Sequence, residues 1–242
     1  MRIDKLLCEM NIGTRREVKF LIKKGLILAD GSKVTKPETK VDEKSVVISY
    51  QGKEYRYHHF VYYMLNKPAG VISATSDKYD KTVLDLLEDH LKKQNEGETR
   101  GIPLKDIFPV GRLDKDTVGL LLLTNDGDLS HNLLSPKKHV SKIYYVETDK
   151  ILEEEKRLML ENGVDIGEDK LTEKASVTVC GEKRYKITIT EGKYHQVKRM
   201  FAAVGLKVLY LKRISMGNLK LDESLPEGEI RELTKEEVEA LC

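Results

Sequence analysis

Apolar residues in the first sixty positions recur at helical spacing and then at strand spacing. Ile3, Leu6, Leu7 and Met10 fall three and four apart, predicting a short helix stopped by Asn11-Ile12-Gly13. Thr14 and Glu17 have capping-box spacing and predict a second helix ending at Gly25, with Val18, Leu21 and Ile22 on its apolar face. Arg15, Arg16, Lys19 and Lys23 share the opposite face. Leu26-Ile27-Leu28 and the segment around Val34 flank Asp30-Gly31, a hairpin signal, and residues 45–50 alternate like a strand. Residues 51–59 are charged and aromatic without an apolar pattern, and are expected to be a linker.

The rest of the chain opens on a buried-strand run, Val61-Tyr62-Tyr63-Met64-Leu65, followed by Asn66-Lys67-Pro68-Ala69-Gly70. Residues 92–101 read as a surface loop. Residues 108–127 read as an extended arm, a polar turn, an all-leucine strand at 120–123 and a tight Asn125-Asp126-Gly127 turn. Glu153-Glu154-Glu155 predicts the first turn of a solvated helix capped near Thr148 or Asp149. A helix is expected over 194–204, with Val197, Met200, Phe201 and Val204 as its apolar stripe and Tyr194, His195 and Lys198 on a neighbouring face. Thr234 and Glu237 form another capping box, for a C-terminal helix. Strand and helix runs do not alternate regularly and nothing repeats at a fixed period. The expected body is therefore α+β rather than a doubly wound sheet.

At 242 residues the chain suits one large domain, or a small one joined to a medium one. Hydrophobic residues at 40% and charged residues at 34% exclude bulk disorder. No apolar run approaches the roughly 18 residues of a membrane span, and Met1-Arg2-Ile3-Asp4-Lys5 lacks a signal peptide's apolar core. Cys8, Cys180 and Cys242 are far apart and form neither a disulfide framework nor a zinc pattern. A cytoplasmic address is expected. His58-His59 has no third ligand at a recognisable spacing, so no metal site is expected. The net charge of +2 is unevenly spread: residues 1–60 hold 13 Lys and Arg against 8 Asp and Glu. A basic head suggests contact with a polyanion, although a solvated lysine-rich surface gives the same count.

The densest chemistry lies in Phe108-Pro109-Val110-Gly111-Arg112-Leu113-Asp114 and the Lys115-Asp116-Thr117-Val118-Gly119 that follows. An acid held between two glycines beside a buried strand is a candidate nucleophile or base, although such an acid taken alone is more often a turn cap.

The whole segment, G-R-L-D-x-x-T-x-G-L-L-L-L-T-N-D-G, resembles the signature of pseudouridine synthases of the RsuA/RluB type. Three further segments resemble that family in the same order: Asn66-Lys67-Pro68-Ala69-Gly70, Lys142-Ile143-Tyr144, and Glu191-Gly192-Lys193-Tyr194-His195-Gln196-Val197-Lys198-Arg199-Met200. The head, with R-I-D-K-L-L, the T-R-R-E helix and the Gly25 to Val34 hairpin, resembles the S4 RNA-binding module.

The resemblance implies an S4-like RNA-binding domain with its linker over 1–60. A catalytic domain over 61–242 would be built on a mixed, mostly antiparallel sheet with flanking helices. It implies an isomerase that turns uridine into pseudouridine. Asp114 would act at the ribose, by attack at C1′ or by elimination through a glycal. Tyr144, chosen over Tyr145 by the K-x-Y spacing, would pack against the base, and Lys198 would pair with Asp114. Arg112, Lys142, Gln196 and Arg199 fall among its substrate-binding positions. Arg2, Lys5, Arg15, Arg16, Lys19 and Lys23 would meet RNA phosphates. An enclosed pocket disfavours an ionised carboxylate, and a cation such as Lys198 restores it. Isomerisation needs no cofactor. The implied partner is ribosomal RNA, met by a monomer. The Y-H-Q-V-K-R-M-F-A-A-V-G stretch, with lysine rather than arginine at 198, most resembles the RsuA branch, which implies small-subunit 16S rRNA. A 23S uridine remains the alternative within the family, with a non-catalytic S4-type RNA-binding or ribosome-assembly protein and a hydrolase using Asp116 outside it.

Overall fold

The computed structural model describes residues 1–94 and 106–241. Contacts divide the chain into two units, Met1–Val61 with Leu87–Ile107, and Tyr62–Leu86 with Phe108–Cys242.

In the first unit, helix α1 (Ile3–Glu9) and helix α2 (Arg15–Lys24) bury the apolar positions that their spacing selects, Ile3, Leu6, Leu7, Val18 and Ile22. The capping box at the start of α2 is complete. Glu17 N–H meets Thr14 Oγ1, and Glu17 Oε2 accepts from Thr14 N–H at 2.8 Å. Strands β1 (Ile27–Ala29), β2 (Ser32–Lys33), β3 (Val47–Tyr50) and β4 (Lys53–Arg56) form an antiparallel sheet in the order β2-β1-β3-β4. Asp30 and Gly31 both have positive φ, as a two-residue hairpin turn requires.

The expected linker is in part structured, because Lys53–Arg56 pairs with β3 along its whole length. Gln51 and Gly52 take the same positive-φ turn. Its polar residues hide the strand, which lies at a sheet edge and buries little.

The second unit is built on a nine-stranded sheet. Its elements are β5 (Tyr62–Lys67), β6 (Phe108–Pro109), β7 (Val118–Thr124), α4 (Gly127–Leu134), β8 (Lys142–Thr148), α5 (Glu154–Asn162), β9 (Ser176–Gly181), β10 (Arg184–Ile189), α6 (Gln196–Ala203), β11 (Val208–Met216), β12 (Leu219–Lys220), β13 (Ile230–Glu232) and α7 (Lys235–Leu241). Helix α3 (Val83–Gln94) follows β5 in the chain. The main order is β13-β5-β7-β11-β8-β10-β9, with β6 beside β7 and β12 beside β11. Among the described strands of this sheet only β7 and β11 pair in parallel, so the sheet is mixed and mostly antiparallel, as expected of an α+β body. Leu120 and Leu122 pack with Met64, Leu129 and Leu133, while Val146, Ile187 and Leu211 pack with Val197, Met200 and Phe201 of α6. The leucine strand is fully buried because both of its faces are covered.

Several boundaries differ from the sequence reading. Lys92 and Lys93 end α3 rather than opening a loop, and the remainder of that loop, from 95 to 101, lies outside the described residues. Cys242 lies outside them too. Asn125-Asp126-Gly127 begins a helix, since the Asp126 carboxylate caps Leu129 N–H at 2.9 Å. Helix α5 starts after Glu153 without a side-chain cap; Thr148 belongs to β8, and Asp149 accepts from Lys207 N–H instead. At the C-terminal helix, the Thr234 and Glu237 capping contacts both form.

Candidate active site

The loop between β6 and β7 carries Asp114 and is pinned from both sides. Leu113 N–H donates to Ser73 Oγ at 3.0 Å, and that hydroxyl donates back to Leu113 O at 2.9 Å. Lys67, fully buried at the end of β5, donates from Nζ to Pro68 O at 3.0 Å and Thr117 O at 2.9 Å. Burial pushes the Lys67 pKa down to about 8, against the attraction of Asp116 and Asp114. Thr117 N–H closes the turn on Asp114 O. This backbone arrangement leaves the Asp114 side chain about a quarter exposed.

Helix α6 brings two groups to that carboxylate. Lys198 Nζ lies 3.0 Å from Asp114 Oδ2 and 2.5 Å from Asp116 Oδ1. Burial opposes the Lys198 charge, but the hydrogen bonds to Asp116 and Asp114 outweigh it and hold its pKa above the ordinary lysine value. The same contact holds Asp116 below the usual carboxylate range. His195 Nε2 stands 3.3 Å from Asp114 Oδ1. The arrangement keeps a partly enclosed carboxylate beside a fixed cation.

The sheet supplies a second row of groups. Register partners run Lys67, Gly119, Arg213, Tyr144 and Ile187 across β5, β7, β11, β8 and β10. Side chains directly opposite in a ladder share a face. Tyr144 therefore projects on the α6 side, where it packs against the cluster holding Val197, Met200 and Phe201. Tyr145 projects to the other side and donates to Glu147 at 2.7 Å. Arg213 is buried; its Nε donates to Leu120 O at 2.8 Å, and its Nη2 has no partner among the described residues. Gly119 has φ +100, and a Cβ there would stand 2.3 Å from Arg213 O. Only glycine lets β7 approach β11 this closely.

The structure thus brings Asp114 and Lys198 into contact and sets Tyr144 on the face that α6 covers. Arg112 is exposed and makes no ion pair among the described residues. Three other residues expected at the substrate are engaged with the protein itself. Lys142 is buried and donates to Val140 O at 3.0 Å; Gln196 is buried and donates to Glu191 Oε2 at 2.6 Å. Arg199 binds Glu168, Tyr194 O and Ile166 O.

The helix expected from 194 starts at Gln196, because His195 is left-handed (φ 48) and Gln196 Oε1 accepts from Lys193 N–H instead. Tyr194 and His195 therefore do not share a helix face with Lys198. In the first unit Arg15, Arg16, Lys19 and Lys23 are exposed and make no ion pair among the described residues. Arg2 and Lys5 are paired with Asp4 and Glu9.

Sequence reasoning assigns no role to His195, Lys67 or Arg213. His195 and Lys67 lie inside the motifs already quoted. Arg213 has a subtler signal, a charged residue at an inward position of the alternating β11 strand.

Residues 61–203 match the RNA pseudouridylate synthase family, and residues 1–47 match the S4 domain. An RNA pseudouridine synthase of Bacillus subtilis (strain 168), YtzG, described as uncharacterized, is 46% identical across all of this chain and 98% of its own length. Ribosomal small subunit pseudouridine synthase A of Vibrio cholerae is 39% identical across all of this chain and 99% of its own. A crystal structure of a pseudouridylate synthase superposes with a TM-score of 0.68 at 34% identity, covering both chains entirely. With its S4 domain and its matched catalytic segment, the chain belongs to the RNA pseudouridylate synthase family, an isomerase that makes pseudouridine in RNA.

Proposed function

We propose that this enzyme isomerises one uridine of 16S ribosomal RNA, with Asp114 acting at the ribose. The observation that carries the reading is the Asp114–Lys198 pair at 3.0 Å, at a loop fixed by Lys67 and Ser73. In the reaction the N1–C1′ bond breaks, the uracil turns, and a C5–C1′ bond forms. The C5 proton is lost and N1 gains one, so nothing is consumed. Lys198, 3.0 Å away, sets its positive charge against Asp114 as that side chain attacks C1′ or removes the 2′ proton. Tyr144 packs against the detached base and takes the C5 proton. The exposed basic face of α2 binds phosphates, which position the enzyme without reading sequence. Likeness to small-subunit synthases over the full length of both chains supports the 16S choice.

The test is carbodiimide-adduct primer extension on 16S and 23S transcripts incubated with wild type or Asp114→Asn. A single new stop in 16S, lost in the variant while RNA binding stays within a few-fold, is the expected result. A stop only in 23S would overturn the subunit, and equal activity in the variant would overturn the role of Asp114. If both naked transcripts stay unmodified, the same assay on a partly assembled small subunit decides between a particle substrate and no activity on 16S.

A further inference from the structure

We propose that the stacked rings of Tyr194 and His195 seat an unpaired nucleobase flanking the uridine that enters at Asp114. The inference rests on the proposed function for the position of that uridine. Tyr194 is 69% exposed, yet its ring is not free. It lies on the His195 imidazole with centroids 3.8 Å apart and planes 18° from parallel, so one face is covered and the other is open.

The pair is held from three directions. His195 Nε2 faces Asp114 Oδ1 at 3.3 Å. Arg199 donates to Tyr194 O at 3.0 Å. Lys193 N–H donates to Gln196 Oε1, whose amide is tied in turn to Glu191. The left-handed backbone at His195 is uncommon for a residue with a Cβ, and it is what turns the two rings onto one another ahead of α6.

A flat aromatic surface ordered before binding is the feature on which unpaired bases stack, with little preference among them. Extracting one uridine from a strand removes a stacking partner from each neighbour. A ring pair whose inner member touches Asp114 is within one nucleotide's reach of the reacting ribose. It can take up one of those exposed base faces. His195 thereby links the seat to the Asp114 carboxylate.

The test measures kcat and KM for Tyr194→Phe, Tyr194→Leu and Tyr194→Ala on whichever transcript, 16S or 23S, wild type modifies. Wild type is also assayed on that RNA with an abasic residue placed on either side of the modified uridine. Tyr194→Phe is expected within about twofold of wild type. Leu and Ala should raise KM about tenfold, with kcat much less affected. One of the two abasic RNAs should produce a similar rise with wild type and add nothing further in Tyr194→Ala. An unchanged KM in Leu and Ala overturns the seat while leaving the assignment of Asp114 intact. So does a fall in kcat alone, which would mean that the rings only order Asp114. Should neither abasic RNA bind more weakly to wild type, the seat is also overturned, whatever the variants do to folding. Absence of modification by wild type on both naked transcripts and on the partly assembled small subunit overturns the substrate reading and this inference with it.

Discussion

Lys198 Nζ lies 3.0 Å from Asp114 Oδ2, joining helix α6 to the loop ahead of β7. Both side chains are about a quarter exposed, so the pair is neither fully screened nor fully desolvated. The same ammonium reaches Asp116, whose side chain is 75% exposed, and this second carboxylate fixes the lysine from the solvent side. Removing the cation leaves Asp114 with His195 Nε2 at 3.3 Å and the Thr117 hydroxyl at 3.4 Å, and leaves the buried Lys67 charge to face both carboxylates. Lys198→Met is therefore expected to lower kcat by about a hundredfold or more. Lys198→Arg, which restores charge with a different reach, should recover most of the activity. Single-turnover pseudouridine formation reads both, and equal rates for Met and Arg would show that charge at this position is not used.

Gly119 carries a different constraint. Its φ of +100 and the 2.3 Å approach of Arg213 O leave no room for a Cβ. Gly119→Ala should force β7 away from β11 at their parallel pairing, Lys212 with Val118 and Arg213 with Gly119. The expected loss is about 2–4 kcal/mol of stability, seen as a lower urea midpoint. A midpoint equal to wild type would mean that the sheet yields there without cost.

These two sites also show what the sequence could reveal. Asp114 and Lys198 stand in motifs, and the apolar stripe Val197, Met200, Phe201 and Val204 already fixes which side of α6 is buried. The head is legible for a local reason: capping boxes, helical spacing and the Asp30-Gly31 turn are written within a few residues. Long-range pairing is not legible. The row that sets Arg213 opposite Tyr144 exists only once β7, β11 and β8 are in register, and β11 comes about seventy residues after β8. The start of α6 escapes the sequence pattern because a left-handed histidine has no signature of its own. Strand β4 escapes it because an exposed edge strand can be polar throughout.

Lys67 makes stability depend on alkaline pH. The unfolded chain keeps this lysine protonated up to its ordinary value of 10.5, whereas the folded chain releases the proton near pH 8. Between those values the unfolded state binds more protons, so this group favours folding increasingly as pH rises from about 8 toward 10.5. Below pH 8 its buried charge opposes folding most. The stability of wild type relative to Lys67→Met should thus climb across that window, by about 3 kcal/mol at most. Urea unfolding at a series of pH values measures the difference, and a flat difference would show that the folded lysine titrates like a free one.

The basic face of α2 gives a prediction for the head. Arg15, Arg16 and Lys19 are exposed and make no ion pair among the described residues, unlike Arg2 and Lys5. Cations left unpaired in the free protein can release counterions from RNA without first breaking an internal bridge. Changing all three to Glu should weaken binding of a 16S transcript. The plot of log affinity against log salt should also become shallower by about 0.7–0.9 for each phosphate that the variant no longer neutralises. Both effects are needed, since a fall in affinity with an unchanged slope would point to a disturbed fold. The capping box of Thr14 and Glu17 remains intact in that variant, so α2 itself should persist by circular dichroism. An unchanged slope with α2 intact would mean that this face looks into solvent and that RNA is held elsewhere.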